Sequence, residues 1–157
     1  MKVSFLQIGK TDKNYLSEGI RIYLNRIKHY VDFEIYSLNE IKKFKPLDIN
    51  SIKKNEAKEI LKYIVKDDFV VLLDENGKEH SSVKFAEFIN NKMVTGCKKL
   101  IFISGGPYGF SEEIYKRANE LISLSKLTFS HQLVRLVFLE QLYRAFTIIR
   151  GEPYHHG

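Results

Sequence analysis

Cysteine occurs once in this chain, at Cys97, which excludes an internal disulfide and any cysteine-cluster zinc site. A reducing, cytoplasmic compartment is the expectation that follows. No apolar run approaches the roughly 20 residues that span a bilayer. The opening MKVSFLQIGK holds too short an apolar run for a signal peptide, so a soluble intracellular protein with no membrane partner is expected. Walker A and GxGxxG patterns are both missing, which argues against an NTP or dinucleotide site. No internal repeat, low-complexity tract or linker interrupts the chain. Glycine and proline are absent from 130–150, leaving an unbroken stretch rich in helix formers.

What is present suits one core. The 157 residues are 44% hydrophobic, enough for a single domain over 1–157. A net charge of +6 permits a polyanionic partner such as RNA but also fits many ordinary basic proteins. Residues 2–8 form a short apolar run closed by Gly9, which reads as a buried strand. Asp12 is placed to cap a helix in which Tyr15, Leu16, Ile20, Tyr23, Leu24 and Ile27 recur at helical spacing. Residues 31–38 alternate as a strand does. Residues 39–50, with Lys42, Lys43, Lys45 and Pro46, read as a loop. Ser51 opens a lysine-rich helix with Ile52, Ile60, Leu61 and Ile64 inward. Its lysines are first the ordinary outer face of a helix, and second an RNA-facing stripe.

The run 69–74 is apolar until its final acid, the pattern of a parallel strand buried on both faces. Asn76-Gly77 is expected to turn the chain away from it. Ser82 is placed to cap a helix with Phe85, Phe88, Ile89 and Met93 inward. Alternation of strands and helices throughout predicts an α/β fold, a mostly parallel sheet covered by helices. Any ligand should then lie at the carboxyl ends of the strands.

Unusual chemistry concentrates in 100–157. LIFIS breaks into Gly105-Gly106-Pro107-Tyr108-Gly109, readable as close backbone approach to a ligand or as a tight turn. Ser111 caps the helix that follows, and Glu112 and Glu113 make that helix start a poor phosphate cradle. The 130–150 helix is apolar nearly all round, which calls for a central position or a second subunit against it. His131 and Arg135 lie one turn apart, as do Glu140 and Arg144. The second pair is equally readable as an internal ion pair or as part of a site; the first is read as a site.

The order SGGPYG, then SLSKLTFSHQLVR, then EQLYRAFTIIRGEPYHH closely resembles the bacterial large-subunit ribosomal RNA pseudouridine N3-methyltransferases, a branch of the SPOUT methyltransferases. The likeness runs from KVSFLQIGK to the final YH. Ser104 stands where that family usually has Ile, and Ser130 where it commonly has Pro. The resemblance implies a C-terminal trefoil knot, a homodimer and S-adenosyl-L-methionine as methyl donor, with no metal. It places the cofactor at Leu73, Gly105 and the run Leu124, Ser125, Lys126, Leu127, Thr128 and Phe129. It implies methyl transfer to N3 of a pseudouridine in 23S ribosomal RNA, in the assembled ribosome. Arg144 would stabilise charge developing on the base, Tyr154 would stack or donate, and His155 would handle the proton. His131 and Arg135 would meet the substrate. By position alone 154–156 would be a disordered end, and the resemblance reverses that preference. A non-catalytic RNA-binding or ribosome-associated protein is the alternative from another class. A hydrolase using His131 and Glu140 lacks a nucleophile motif.

Overall fold

Strands that are apolar on both faces need helices on both faces, and the computed structural model, which describes residues 1–40 and 48–157, has that arrangement. Along the chain run β1 (Lys2–Ile8), α1 (Asn14–Ile27), β2 (Asp32–Leu38), α2 (Ile49–Leu61), β3 (Phe69–Glu79), α3 (Ser82–Val94), β4 (Lys99–Ser104), α4 (Glu112–Arg117), β5 (Glu120–Ser123) and α5 (Leu133–Arg150). The five strands form one sheet in the order β2-β1-β4-β3-β5, with every neighbouring pair parallel. The expected α/β architecture is therefore the observed one.

Alternation along each strand sorts the core into two faces. Val3, Phe5, Val71, Leu100 and Phe102 point to the side covered by α1, α3 and α5. Leu6, Ile8, Val70, Leu72, Ile101 and Ile103 point to the side covered by α2 and α4. On the first face α5 is the central helix, packed against both α1 and α3. Phe138 sits between Phe5 and Phe102, with ring centroids 4.7 and 4.8 Å away. Gly19 lets α1 come close, since a Cβ there would stand 2.9 Å from Leu136 Cδ1. This central position accounts for most of the apolar surface of α5 without a second subunit.

Several local expectations shift. Asp12 does not cap α1: the cap position is Lys13, with no side-chain bond. The Asp12 carboxylate is instead taken up by the Gln132 side chain before α5, whose Oε1 in turn accepts from the Asp12 amide at 3.2 Å. The cap of α3 is Ser81, one residue before the one expected, its Oγ accepting from the Lys84 amide at 3.2 Å. Asp48 caps α2, accepting from the Ser51 amide at 2.6 Å, so the helix begins at Ile49. Ser111 caps α4 as expected. α5 begins at Leu133, later than 130. Lys42, Lys43, Lys45 and Pro46 lie outside the described residues.

The largest change is at Asn76-Gly77. The chain does not turn away there; β3 continues to Glu79 through a register shift between Leu73 and Lys78, against β5. Gly77 permits this because backbone meets backbone: a Cβ would lie 2.6 Å from Ile122 N. Overpacking against backbone has no cheap relief. Gly77→Ala should therefore cost about 1–3 kcal/mol, read as a lower urea midpoint with an unchanged m-value.

Candidate active site

The carboxyl ends of β3, β4 and β5 lie side by side, with Leu73 paired to Ser104 on one side and to Ile122 on the other. They open into a cleft of about 610 Å³. Its walls are Leu73, Asp74 and Asn76 after β3; Ser104, Gly105, Gly106 and Phe110 after β4; and Leu124, Ser125, Leu127, Thr128 and Phe129 after β5. His131 and Val134 close it from the α5 side. Of the predicted cofactor residues, Lys126 alone is not on the wall, while its neighbour Leu127 is 77% exposed at the rim.

Each wall is held by short-range bonds. The Gly109 amide donates to Gly106 O at 3.1 Å, and Gly109 has φ 75°, a left-handed conformation that favours glycine. The segment 106–109 is thus a tight turn. Gly105 packs on the Phe110 ring, which a Cβ would meet at 3.3 Å. After β5 two serines shape the loop: Ser123 Oγ donates to Ser125 O at 3.0 Å, and Ser125 Oγ accepts from the Leu127 amide at 2.9 Å. Ser104, 2% exposed, places in the floor a hydroxyl with no protein partner among the described residues.

The edge of the cleft is acidic. Asp74 accepts from Tyr115 Oη at 2.5 Å and from the Asn76 amide at 2.8 Å, so its carboxylate is fixed in place. Burial, and then the bond to Asp74, pushes the Tyr115 phenol up to about 12, keeping it a donor at neutral pH. Sequence reasoning named Leu73-Asp74 as a strand end but left Asp74 and Tyr115 out of the site. Tyr115 carried no local signal, because its role depends on how α4 packs beside β3.

Arg144, Tyr154 and His155, far apart in chemistry and eleven residues apart at most in sequence, do come together. Gly151, with φ 66°, ends α5 in a left-handed turn, and the Glu152 amide returns to Thr147 O at 2.9 Å. Tyr30 Oη donates to Glu152 Oε2 at 2.5 Å, fixing the tail to the turn after α1. Tyr154 then donates to Glu140 Oε1 at 3.0 Å, with its ring 4.8 Å from the Arg144 guanidinium and edge-on to Tyr143. Arg144 pairs with Glu140 at 2.5 Å, so the ion pair lies within the same group of residues as Tyr154 and His155. Arg144 Nη1 lies 3.5 Å from His155 Nδ1. Because guanidinium only donates, Nδ1 is the acceptor there and Nε2 is left for a proton. Burial first, then bonds to Tyr23 and Glu140, raise the Tyr154 phenol above its ordinary range. The bond to Glu140 raises Arg144 further.

These residues are not in the cleft. Val134, on the cleft wall, and Arg144 are ten residues apart on α5, which is about 15 Å along the axis.

The other predicted pair separates as well. His131 lines the cleft, whereas Arg135 is wholly buried, donating to Ile8 O at 2.5 Å and to Thr11 Oγ1 at 2.9 Å. Burial lowers its pKa, and Glu40 and Asp12 oppose that. An arginine with no exposed surface acts through the strand end it holds, not by touching a substrate. Arg135→Ala should lower stability by about 2–4 kcal/mol, since it leaves a carbonyl unpaired and a cavity behind. A chemical denaturation curve checks this, and an unchanged midpoint would return Arg135 to a surface role.

Residues 1–155 match the family model described as "Predicted SPOUT methyltransferase". The chain is 58% identical over 156 residues to Ribosomal RNA large subunit methyltransferase H of Christiangramia forsetii, covering 99% of each. It is 51% identical to the protein of the same name from Parabacteroides distasonis and 47% to that from Bacteroides thetaiotaomicron, again with 99% of each chain covered. Among solved structures it is similar to a probable methylase family protein from Haemophilus influenzae, with TM-score 0.51 and 14% identity, covering 99% of this chain and 70% of that one. That last likeness concerns the fold alone. A parallel five-stranded sheet with a glycine-loop cleft at its carboxyl edge, matched over nearly the full length by relatives of one name, makes the chain a member of the SPOUT methyltransferase family.

Proposed function

We propose that this protein transfers a methyl group from S-adenosyl-L-methionine to N3 of a pseudouridine in 23S ribosomal RNA, acting in the cytoplasm on the assembled ribosome as a homodimer. The relatives' printed name supplies the large-subunit RNA as substrate class. The observation that carries the mechanism is the split described above: a cleft at one end of α5 and the Arg144–Tyr154–His155 group about 15 Å along it. On this reading a partner's tail completes each cleft.

The cleft fits the proposed donor. Its volume lies in the ordinary range for small-ligand sites. Its walls are backbone turns and uncharged side chains, its edge carries the fixed Asp74 carboxylate suited to a cationic ligand, and its floor offers the Ser104 hydroxyl. Leu73, Gly105, Leu124, Ser125, Leu127, Thr128 and Phe129 would hold it, with Lys126 fixing the loop between them. When bound, the cofactor supplies a sulfonium-activated methyl group, so the reading needs no metal.

The residues then have distinct tasks. Arg144 stabilises negative charge on the base as N3 loses its proton. Tyr154, kept protonated by its surroundings, donates to the base or stacks on it. His155 takes the proton at Nδ1, the ring's free lone pair once it leaves Arg144, as the new N–C bond forms and the S–C bond breaks. His131 positions substrate at the cleft mouth. The trefoil knot belongs to this proposal too; it is supported by the close seating of segments 104–110 and 124–131 around one cleft.

Arg144→Ala should reduce single-turnover methylation of ribosomes about 10²–10³-fold with cofactor affinity kept within about twofold. Gly105→Val should abolish cofactor binding. Mixing equal amounts of the two dissociated and reassociated variants should restore about a quarter of wild-type activity, because half the dimers are mixed and each holds one complete site. No restoration would show that cleft and tail act within one chain.

A further inference from the structure

On the inner side of α2 the row Ile52, Glu56, Ile60 faces the sheet, and all three are buried. Spacing alone would put an apolar residue in the middle. Instead a carboxyl, 5% exposed, lies directly behind the glycine loop: a Cβ on Gly106 would stand 2.9 Å from Glu56 Oε1 and 3.2 Å from Oε2. Among the described residues no cation is paired with it, and the charged group acting on it is Glu40, at the end of β2. On the neighbouring elements Lys54 and Lys58 of α2 and Glu112, Glu113 and Lys116 of α4 line the outer groove between those helices. Arg135, across β1, acts on by Glu40 and Asp12, sends its own bonds to Ile8 O and Thr11.

We infer that Glu56 is a positioning residue for the cofactor cleft: its neutral carboxyl is the surface on which Gly106 rests, and ionisation of Glu56 displaces the glycine loop and weakens cofactor binding. The inference rests on the cofactor reading above. The physical reason is that a carboxylate with no cation beside it among the described residues, in an apolar interior, must find water or move away from a like charge. Here the direction of escape is limited by the sheet on one side and Gly106 on the other. Burial first, and then Glu40, pushes the carboxyl up to about 7, so the change falls near neutral pH. The sign follows from linkage. The native state keeps a proton that the unfolded chain loses near pH ~4.3, so stability falls as pH rises from there through about 7.

The glycine of the loop is explained at the same time. Any side chain at 106 would meet the carboxyl, so Gly106 and Glu56 are a matched pair from different elements.

The test follows the loop and the ligand separately in isotope-labelled full-length protein. The Gly106 amide and the Glu56 side-chain carboxyl carbon should titrate together near pH 7 in wild type, and the amide should stop titrating in Glu56→Gln. S-adenosylhomocysteine should bind wild type about fivefold more weakly at pH 8.5 than at pH 6, against less than about twofold for Glu56→Gln. By reciprocity, adding S-adenosylhomocysteine to wild type should raise the Glu56 midpoint. A Gly106 amide that titrates equally in both proteins, or a Glu56 midpoint unmoved by bound ligand, would overturn the inference. Should wild type bind no S-adenosylhomocysteine at any pH, the cofactor reading fails, while the amide titration still decides whether Glu56 moves the loop.

Discussion

The seat of α5 on the central strands is the constraint on which the other features depend. Phe138 wedges between Phe5 and Phe102, fixing the helix over β1 and β4. Arg135 fixes its rotation and height by donating to the last carbonyl of β1 from a position with no solvent exposure. A buried guanidinium costs several kcal/mol unless bonded, so the helix has little freedom to slide or turn once that bond is made. With α5 held so, its first turn lies over the cleft and its last turns carry Arg144 and the anchoring points for the tail. The same helix therefore sets both the closure of the cleft and the place where the tail is presented.

The cleft is built almost entirely from turns. Ser123, Ser125 and Gly109 shape its loops through backbone bonds, and Asp74 is held by Tyr115 and its own neighbour's amide. The glycine loop faces the cleft on one side, across from His131 and Val134, and rests on Glu56 of α2 on the other. Such a site has few side chains that announce a ligand by type. It also responds to groups well outside it, since a loop whose shape is set by packing moves with whatever it packs on.

The tail shows how a polar end becomes ordered. Glu152, Tyr154 and His155 would be free by position, but Tyr23 of α1, Tyr30 in the turn after it and Glu140 of α5 supply partners for each phenol and carboxylate. The half-buried, edge-to-face pair of Tyr143 and Tyr154 adds apolar contact to those bonds. Arg144 is shared between Glu140 and His155, so the ion pair that local spacing allows is formed and also reaches the tail.

Sequence by itself determined the class of the fold, because apolar strand runs such as 69–73 and 100–103 and the helical spacing between them are local patterns, each enforced by burial of its own residues. It also determined where the chemistry is concentrated, through the glycine loop, the serine-rich run after β5 and the aromatic-imidazole tail. Its errors fall where a distant partner outweighs a local preference. Asp12 gives up a cap because Gln132 is near, and Gly77 continues a strand because the backbone of Ile122 lies against it. Arg135 reads as a site residue beside His131, yet one turn of helix carries it from the cleft into the core. Only the tertiary structure decided that Glu56, on a helix in another part of the chain, stands behind Gly106, and that Arg144, Tyr154 and His155 form one group some 15 Å from the cleft. Those facts depend on which helix covers which strand end, and no spacing within a single segment encodes a distance between two segments.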